Sequence, residues 1–380
     1  MKIIAAFMVF IVSFFFFYGF GLNNIFNVLE PYLASYYNMP PTQMGLVSSL
    51  YFYANMLWLI PAGLLLDRYS PKFVILLAMS VCSLGAYFVA GGNSMWWLII
   101  GRCLMGVGSA FCFSGCIRVA VNWVNPKRMG FASGFIVTMG MLGGYSVQGP
   151  LSKLIMSVGW MKALWWVAVI GVSIIAVMII FLRSKPKTAI AGDLNSDINS
   201  DINSDANSNS NSGSNTLRCL KTVLLRKYNW LCGIYASMMN LPIYLLGALW
   251  GIPYLERVDH MSFSVAAQAS GLLFLGTMVG AILVGLISDW LKNRLLVMKI
   301  GAILAIAVFS VLIIFKIHSP LFIDSLFFLL GLVTSTQVLA YPMVVEYNGD
   351  EFASTATSVI SMMCLGGGAL AQPIFGWLMT

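Results

Sequence analysis

The sequence predicts an all-α membrane protein made of two pseudo-symmetric bundles of transmembrane helices. Composition is the first reason, since 59% of the 380 residues are hydrophobic and only 9% are charged, whereas soluble domains carry about a quarter charged residues. Long apolar runs are the second reason, because about 20 apolar residues cross the hydrocarbon core of a bilayer. An internal duplication, in which Gly63 recurs as Gly285 at an offset of 222 residues, is the third. Duplication in so apolar a chain is typical of secondary transporters.

Eleven runs are apolar and long enough to cross a bilayer. They predict an N-terminal bundle of six helices over residues 1–183 and a C-terminal bundle of five over residues 218–380. The predicted spans are 4–26, 43–66, 73–92, 95–117, 129–153, 162–183, 229–252, 264–287, 295–316, 320–345 and 352–378.

Residues 184–217 are predicted to form a disordered cytoplasmic linker between the bundles. They contain a repeat of Asp, Asn and Ser over residues 193–215, a composition that cannot bury an apolar core. Calcium binding by its aspartates is not favoured, because the repeat lacks the glycine and the terminal Glu of an EF-hand loop.

The basic residues predict the orientation in the membrane. The net charge of +8 could suggest a nucleic-acid partner, but most of the 21 Lys and Arg fall on the side that holds the N-terminus and the linker. Because cytoplasmic loops are enriched in Lys and Arg, we expect a multi-pass protein of the plasma (inner) membrane with a cytoplasmic N-terminus and no nucleic-acid partner. The exceptions on the other side are Lys153, Lys162, Arg257 and Lys316.

Several classes of function are not supported by the sequence. Its seven cysteines are scattered without metal-ligand spacing, and no Gly-rich nucleotide-binding loop occurs that would indicate direct ATP use. No His, Cys or carboxylate cluster lies at catalytic spacing within the spans. We therefore expect no enzyme activity, no metal site and no cofactor.

Two short charged joints carry the duplication. Each follows an apolar run and holds a glycine, an aspartate and bases in the same register. A glycine allows close helix approach, an aspartate accepts hydrogen bonds from a helix amino terminus, and the bases lie at the headgroup level. The joint residues are Gly63, Asp67, Arg68 and Lys72 in the first copy and Gly285, Asp289 and Arg294 in the second.

The first joint resembles the Gly-x-Leu-x-Asp-Arg-x-Gly-Arg-Lys loop of the major facilitator superfamily, departing from it at Ser70 and Pro71. The resemblance implies a major-facilitator fold in which the joints latch the cytoplasmic sides of the two halves. Glu346, at the same side, is expected to form a salt bridge with Lys292 or Arg294.

Polar residues inside the spans are candidates for a solute or proton pathway. The first span ends in Asn23, Asn24, Asn27 and Glu30, and polar groups at membrane depth are costly unless they face protein or water. The asparagines could instead make only interhelical hydrogen bonds. Further candidates are Arg102 in the fourth span, Gln148 in the fifth, which recurs as Gln372, and Gln337 in the tenth.

The stretch from Arg102 to Ala110 resembles the helix-four motif of the superfamily, in which an Arg precedes a glycine-rich face. That resemblance implies a link to proton transfer. The alternative is a structural Arg102 that joins the first and fourth helices through Glu30 or the asparagines. The fifth span partly resembles the antiporter signature of the superfamily but has Leu151 and Ser152 in place of Gly-Gly, which leaves the direction of transport open.

These observations predict a monomeric, proton-coupled secondary transporter that moves a small organic solute by alternating access. Arg102 and the asparagines favour an anionic or zwitterionic solute. A non-transporting, receptor-like or degenerate remnant is the alternative, because Thr380 corresponds to about Met156 of the first half, so that a twelfth helix is expected to be missing.

Overall fold

The computed structural model describes residues 2–92, 94–124, 129–183, 223–315, 319–348 and 353–379. Nearly all of these residues are helical, and the described ranges contain no strand, as an all-α membrane protein requires. The predicted linker, residues 184–217, lies outside the described residues.

Six helices form the first half of the chain, which we call the N-terminal half. They are α1 (Lys2–Tyr37), α2 (Pro41–Arg68), α3 (Pro71–Gly91), α4 (Met95–Trp123, with a turn after Ser109), α5 (129–158) and α6 (Trp160–Phe181). Segment α5 consists of Met129–Ser146, a π-helical stretch Val147–Leu151 and Ser152–Val158.

The C-terminal half contains five helices among the described residues. They are α7 (Lys227–Arg257, π-helical over Ile243–Trp250), α8 (Phe263–Leu291), α9 (Arg294–Ile314), α10 (Pro320–Asn348, a 3₁₀ helix over Ser335–Leu339) and α11 (Ala353–Leu378).

Ten of these helices are long and apolar enough to cross a membrane, whereas the sequence predicts eleven spans. The difference lies at residues 129–153, which are helical in α5 but are not among the ten. Pro150 stands inside the π-helical stretch. Proline lacks the N–H that would continue the α-helical hydrogen bonding, so the backbone rearranges there.

The duplication reappears as matching contacts between helices. A Cβ on Gly106 of α4 would collide with the backbone oxygen of Tyr51 in α2, and a Cβ on Gly331 of α10 would collide with that of Leu273 in α8. Tyr51 and Leu273 are 222 residues apart, the offset of the charged joints. In each half a glycine therefore lets the equivalent pair of helices approach until their backbones touch.

The two halves contact each other near one end of the bundle, which we call the closed end. It contains the C-termini of α1, α7 and α11 and the N-termini of α2 and α8, residues 30–45, 252–274 and 372–378. There a Cβ on Gly45 would come within 2.6 Å of the Gln372 carbonyl oxygen, and the rings of Tyr32 and Phe263 lie 5.6 Å apart.

The opposite end, which we call the linker end, contains residues 66–72, 226–228, 289–296 and 346–348. Two polar contacts there join residues of the same half: Lys72 donates to the carbonyl of Ile179 at 2.9 Å, and Arg226 donates to Asn348 at 3.1 Å.

Gly106→Ala and Gly331→Ala should each lower the thermal unfolding midpoint in detergent by several degrees. The added methyl group meets a backbone oxygen, which cannot rotate away, and overpacking of this kind costs about 1–3 kcal/mol. Gly134→Ala is the matched control, because no atom lies within 4 Å of a Cβ there. Equal midpoints for all three variants would show that these glycines do not set the helix spacing.

Candidate functional site

Arg102 lies at the centre of the N-terminal half and is fully buried. Its Nε donates to the Ser48 carbonyl at 3.1 Å, its Nη1 to the Leu22 carbonyl at 2.8 Å and one Nη2 hydrogen to the Asn23 carbonyl at 3.1 Å. The second Nη2 hydrogen bond goes to Ser48 Oγ at 3.3 Å.

Two aromatic rings complete the surroundings of this guanidinium. Its carbon atom lies 4.1 Å from the ring centre of Phe26 and 4.7 Å from that of Tyr51, distances at which a cation is attracted to a ring face. The charge is thus balanced by carbonyl dipoles and ring faces of α1 and α2. Of the partners expected for Arg102, only Asn23 is found among its described contacts, through the backbone carbonyl. Glu30 forms an ion pair with Arg257 instead.

Glu30 forms an ion pair across the two halves. Its side chain is 1% exposed, and its Oε1 lies 3.5 Å from Nη2 of Arg257, which belongs to α7 and is 51% exposed. The other carboxylate oxygen of Glu30 has no hydrogen-bond partner among the described residues. The pair contributes a charge contact at the closed end that depends on both halves staying together.

A group of buried amides lies next to this ion pair along α1. Asn27 Nδ2 donates to Gln148 Oε1 at 2.9 Å, and Asn27 Oδ1 accepts from the backbone N–H of Ile252 at 2.9 Å. Gln148 Nε2 donates to the carbonyl of Gly247 at 2.8 Å and to that of Asn24 at 3.2 Å. Asn27 and Gln148 with the backbone of Gly247 and Ile252 form what we call the amide bridge, which connects α1 and α5 to α7.

The irregular backbone of α7 explains why an amide is needed at this position. A π-helical stretch departs from the regular i to i−4 hydrogen-bond ladder, and carbonyls at membrane depth need protein donors. The Gly247 carbonyl receives Gln148, and the Tyr244 carbonyl receives Nε2 of Gln372 at 2.8 Å. The duplicated glutamines therefore both donate to the π-helical stretch of α7, one from each half.

The other pathway candidates are less connected. Asn24 Nδ2 donates to the Phe20 carbonyl within its own helix at 2.7 Å. The side-chain oxygens of Asn23, Asn24 and Gln337 are buried without a partner among the described residues. Gln337 lies in the 3₁₀ stretch of α10, and no described hydrogen bond joins it to the amide bridge.

The charged joints lie at the linker end. Arg294 and Glu346 form a salt bridge of 2.7 Å, as expected, and both belong to the C-terminal half. A Cβ on Gly63 or Gly285 would meet no atom within 4 Å, so neither glycine touches a neighbouring helix in this conformation.

The remaining joint residues add little to the latch hypothesis. Arg68 is exposed, and Lys72 bonds within its own half. The side chains of Asp67 and Asp289 lie outside the described residues. The latch role of the joints therefore stays a prediction.

Several participants were not found by sequence reasoning. Arg257 carried a signal as one of the few bases on the sparsely charged side of the membrane, but Ser48, the Gly247 carbonyl and the Ile252 N–H had none. Among the described residues, no group of three or more His, Cys, Asp or Glu is arranged to hold a metal ion. The site thus consists of amides and one ion pair.

Comparison with protein families and solved structures gives a consistent result. A family model described as Major Facilitator Superfamily matches residues 9–372. The fold is similar to that of a bacterial homologue of the human lysosomal transporter Spinster, solved in an inward-facing, unoccupied conformation (TM-score 0.79, 18% identity, covering 99% of this chain and 83% of the other). It is also similar to the nucleoside transporter NupG (TM-score 0.71, 14% identity, covering 98% and 91%).

The curated relatives match only part of the chain. A probable sulfoacetate transporter of Cupriavidus necator is 21% identical over 160 residues, 42% of this chain and 37% of the relative. A hexuronate transporter of Bacillus subtilis is 25% identical over 169 residues, 44% of this chain and 40% of the relative. The matched segments thus span about two fifths of these relatives' lengths.

Arg102→Ala should destabilise the protein more than Arg102→Lys, and both should lower the unfolding midpoint in detergent. Alanine removes the four hydrogen bonds by which Arg102 joins α4 to α1 and α2, and each hydrogen bond to a charged group is worth about 1.5–3 kcal/mol. Lysine keeps the charge but cannot reproduce the planar fork of donors. Lys162→Ala, at an exposed base of α6, is the control. Wild-type stability of Arg102→Ala would rule out a structural role.

Proposed function

This chain belongs to the Major Facilitator Superfamily, and on that premise we propose that it is a proton-coupled secondary transporter that moves a small organic solute by alternating access. Membership in a family of transporters agrees with the prediction that the chain is not an enzyme. It also favours transport over the alternative of a degenerate, non-transporting remnant. The proposed moving units are residues 1–183 and 218–380, joined by residues 184–217.

The observation that carries the proposal is the position of the polar contacts between the halves. Gln148 to Gly247, Asn27 to Ile252 and Glu30 to Arg257 all cross from one half to the other on the closed-end side. At the linker end, three polar contacts each stay within one half: Lys72 with Ile179, Arg226 with Asn348, and Arg294 with Glu346. This is the arrangement expected of one state of an alternating-access cycle, in which one end is sealed and the other is open.

The amide bridge has the strength that a reversible seal requires. A hydrogen bond contributes about 0.5–1.5 kcal/mol net, although leaving its partner buried and unpaired costs about 1–3 kcal/mol. Two cross-half bonds therefore favour the closed end by a few kcal/mol. A ligand can reverse a preference of that size through its differential affinity for the two states.

Glu30 supports the proposed proton coupling. Opening the closed end separates Glu30 from Arg257, so the carboxylate loses the counter-charge that it has in the closed arrangement. Such a charge is strongly unfavourable, and uptake of one proton removes it. Proton binding at Glu30 and opening of the closed end would therefore favour each other. In this scheme Arg102 holds α1 in place, because its carbonyl partners lie within its own half.

The proposed solute is a small organic molecule, and both charged and neutral solutes are candidates. The names of the relatives indicate an anionic sulfoacetate, an anionic hexuronate and, for a 29% identical relative of Xenopus laevis, glucose. The guanidinium of Arg102, which the sequence suggested as an anion contact, is bonded to carbonyls instead. A test therefore has to include charged and neutral solutes. The proposed setting is a monomer in the inner membrane with its linker end in the cytoplasm.

The test uses the purified chain in proteoliposomes that contain a trapped pH-sensitive dye. Sulfoacetate, glucuronate and glucose are added one at a time, and solute-dependent acidification of the interior is the expected signal for one of them. Empty liposomes and an added protonophore are the controls. Accumulation of radiolabelled solute without acidification would contradict proton coupling but not transport.

Gln148→Leu should shift the population toward conformations in which the two halves are separated at the closed end. It removes the donor to the Gly247 carbonyl and leaves that buried carbonyl unpaired, at a cost of about 1–3 kcal/mol. Spin labels at exposed Lys162 and His260, in a background without native cysteines, would report longer distances by electron paramagnetic resonance.

Gln268→Leu is the matched control for that experiment. Gln268 donates to Asp324 at 3.0 Å, and both residues belong to the C-terminal half, so its loss should leave the distance distribution unchanged. If the distance distribution of Gln148→Leu matches that of wild type, the amide bridge does not hold the two halves together at the closed end.

Glu30→Gln should abolish proton-driven accumulation of the solute while exchange of labelled for unlabelled solute continues. A neutral amide keeps the shape of the side chain but cannot carry a proton in exchange for the Arg257 contact. The two assays are run on the same proteoliposomes, with Asp324→Asn as a carboxylate control. Undiminished acidification by Glu30→Gln would place the proton site elsewhere.

A further inference from the structure

An open cavity of about 470 Å³ lies at the closed end, beside the part of α1 that follows Glu30 in the chain. This volume is within the range of small-molecule sites. Both halves line it: Tyr32, Tyr36 and Trp160 come from the N-terminal half, and Glu256 and Phe263 from the C-terminal half. None of these residues takes part in the amide bridge, so the transport scheme leaves the cavity without a role.

Aromatic side chains form most of its wall. The rings of Tyr32 and Phe263 lie 5.6 Å apart in an edge-to-face arrangement with an angle of 86° between their planes. The rings of Tyr36 and Trp160 are 5.4 Å apart at 71°. Ring faces carry negative charge density and attract cations, so a cationic occupant is stabilised by each of the four rings that presents its face to the space.

The charged groups at the cavity also favour a cationic occupant. Glu256 lies in its wall, and the described residues offer this carboxylate no salt bridge or hydrogen bond. The neighbouring Arg257 is directed to Glu30, with 3.5 Å between Nη2 and Oε1. Glu30, Glu256 and Arg257 thus comprise two carboxylates and one guanidinium, which sum to one negative charge when both carboxylates are ionised.

We propose that this cavity is a binding site for an organic ammonium cation. The ammonium group lies against the aromatic faces, and Glu256 supplies the counter-charge. An anion would be repelled by Glu256. A divalent metal ion such as Ca²⁺ takes six to eight oxygen ligands, whereas the cavity offers one carboxylate among rings.

An occupant of this cavity also affects the conformation. Its wall exists only while Tyr32 and Phe263 are in contact across the halves, so a bound cation stabilises the sealed closed end. The ammonium group could belong to a free solute or to a lipid headgroup, since both present the same chemistry at the membrane surface.

The test measures binding of radiolabelled choline to the full chain in phosphatidylglycerol nanodiscs by equilibrium dialysis. We expect saturable binding that tetramethylammonium displaces and that 3,3-dimethylbutan-1-ol, the uncharged isostere of choline, does not. Glu256→Gln should weaken binding about tenfold, the equivalent of one lost charge contact. Trp160→Leu should weaken it roughly 2- to 30-fold, from the range of cation–π energies.

Three controls make the outcome decisive. Asp324→Asn removes a carboxylate outside the cavity and should bind choline as wild type does. Trp160→Phe keeps an aromatic face and should retain most of the binding, which separates a lost ring face from misfolding. Weaker choline binding in phosphatidylcholine nanodiscs would identify the lipid headgroup as the occupant, and equal binding would identify a free cation.

The proposal is overturned if wild type does not bind choline, if the uncharged isostere displaces it, or if Glu256→Gln binds with unchanged affinity. These measurements need no transport, so they remain informative even if the proposed transport function fails.

Discussion

Backbone carbonyls in the middle of a bilayer have no water to bond with, and this constraint explains the most specific features of the structure. Where α7 departs from regular α-helical geometry, its carbonyls need donors from the protein itself. The chain supplies them as Gln148 and Gln372, one from each half. Arg102 also bonds to backbone carbonyls, but these belong to the regular helices α1 and α2, and its fourth bond goes to the Ser48 hydroxyl. Gln148, Gln372 and Arg102 therefore bond mainly to backbone carbonyls.

The two sets of donors differ in what they connect. Arg102 bonds to residues of α1 and α2, which lie with α4 in one half, so its contacts can persist while the halves move. Gln148 bonds across to α7 of the other half, and its contact must break if the closed end opens. A fully buried guanidinium with four hydrogen bonds suits a permanent support. A single amide donor at an irregular helix suits a contact that forms and breaks.

The closed end combines this amide bridge with an uneven set of charges. Arg257 forms an ion pair with Glu30, and its neighbour in the chain, Glu256, has no salt bridge among the described residues. A proton at Glu30 and a cation at the aromatic cavity would act on the same seal in opposite directions, since the first favours separation of the halves and the second favours their contact. Both effects come from the same two carboxylates and one guanidinium.

The sequence alone determined the class of fold, because apolar length and low charge depend only on local composition. It also identified Gln148, Asn27 and Glu30, since polar groups within apolar runs are costly wherever they lie. Residue types at a fixed offset likewise indicated the duplication, and the location of Glu346 at the side of the second joint indicated a salt bridge with Lys292 or Arg294, of which the structure has the latter. Partners across the halves depend on how helices rotate and pack, and one-dimensional spacing does not record that. Only the tertiary structure therefore paired Glu30 with Arg257 instead of Arg102, directed Arg102 to carbonyls, and placed Glu256 among four aromatic rings.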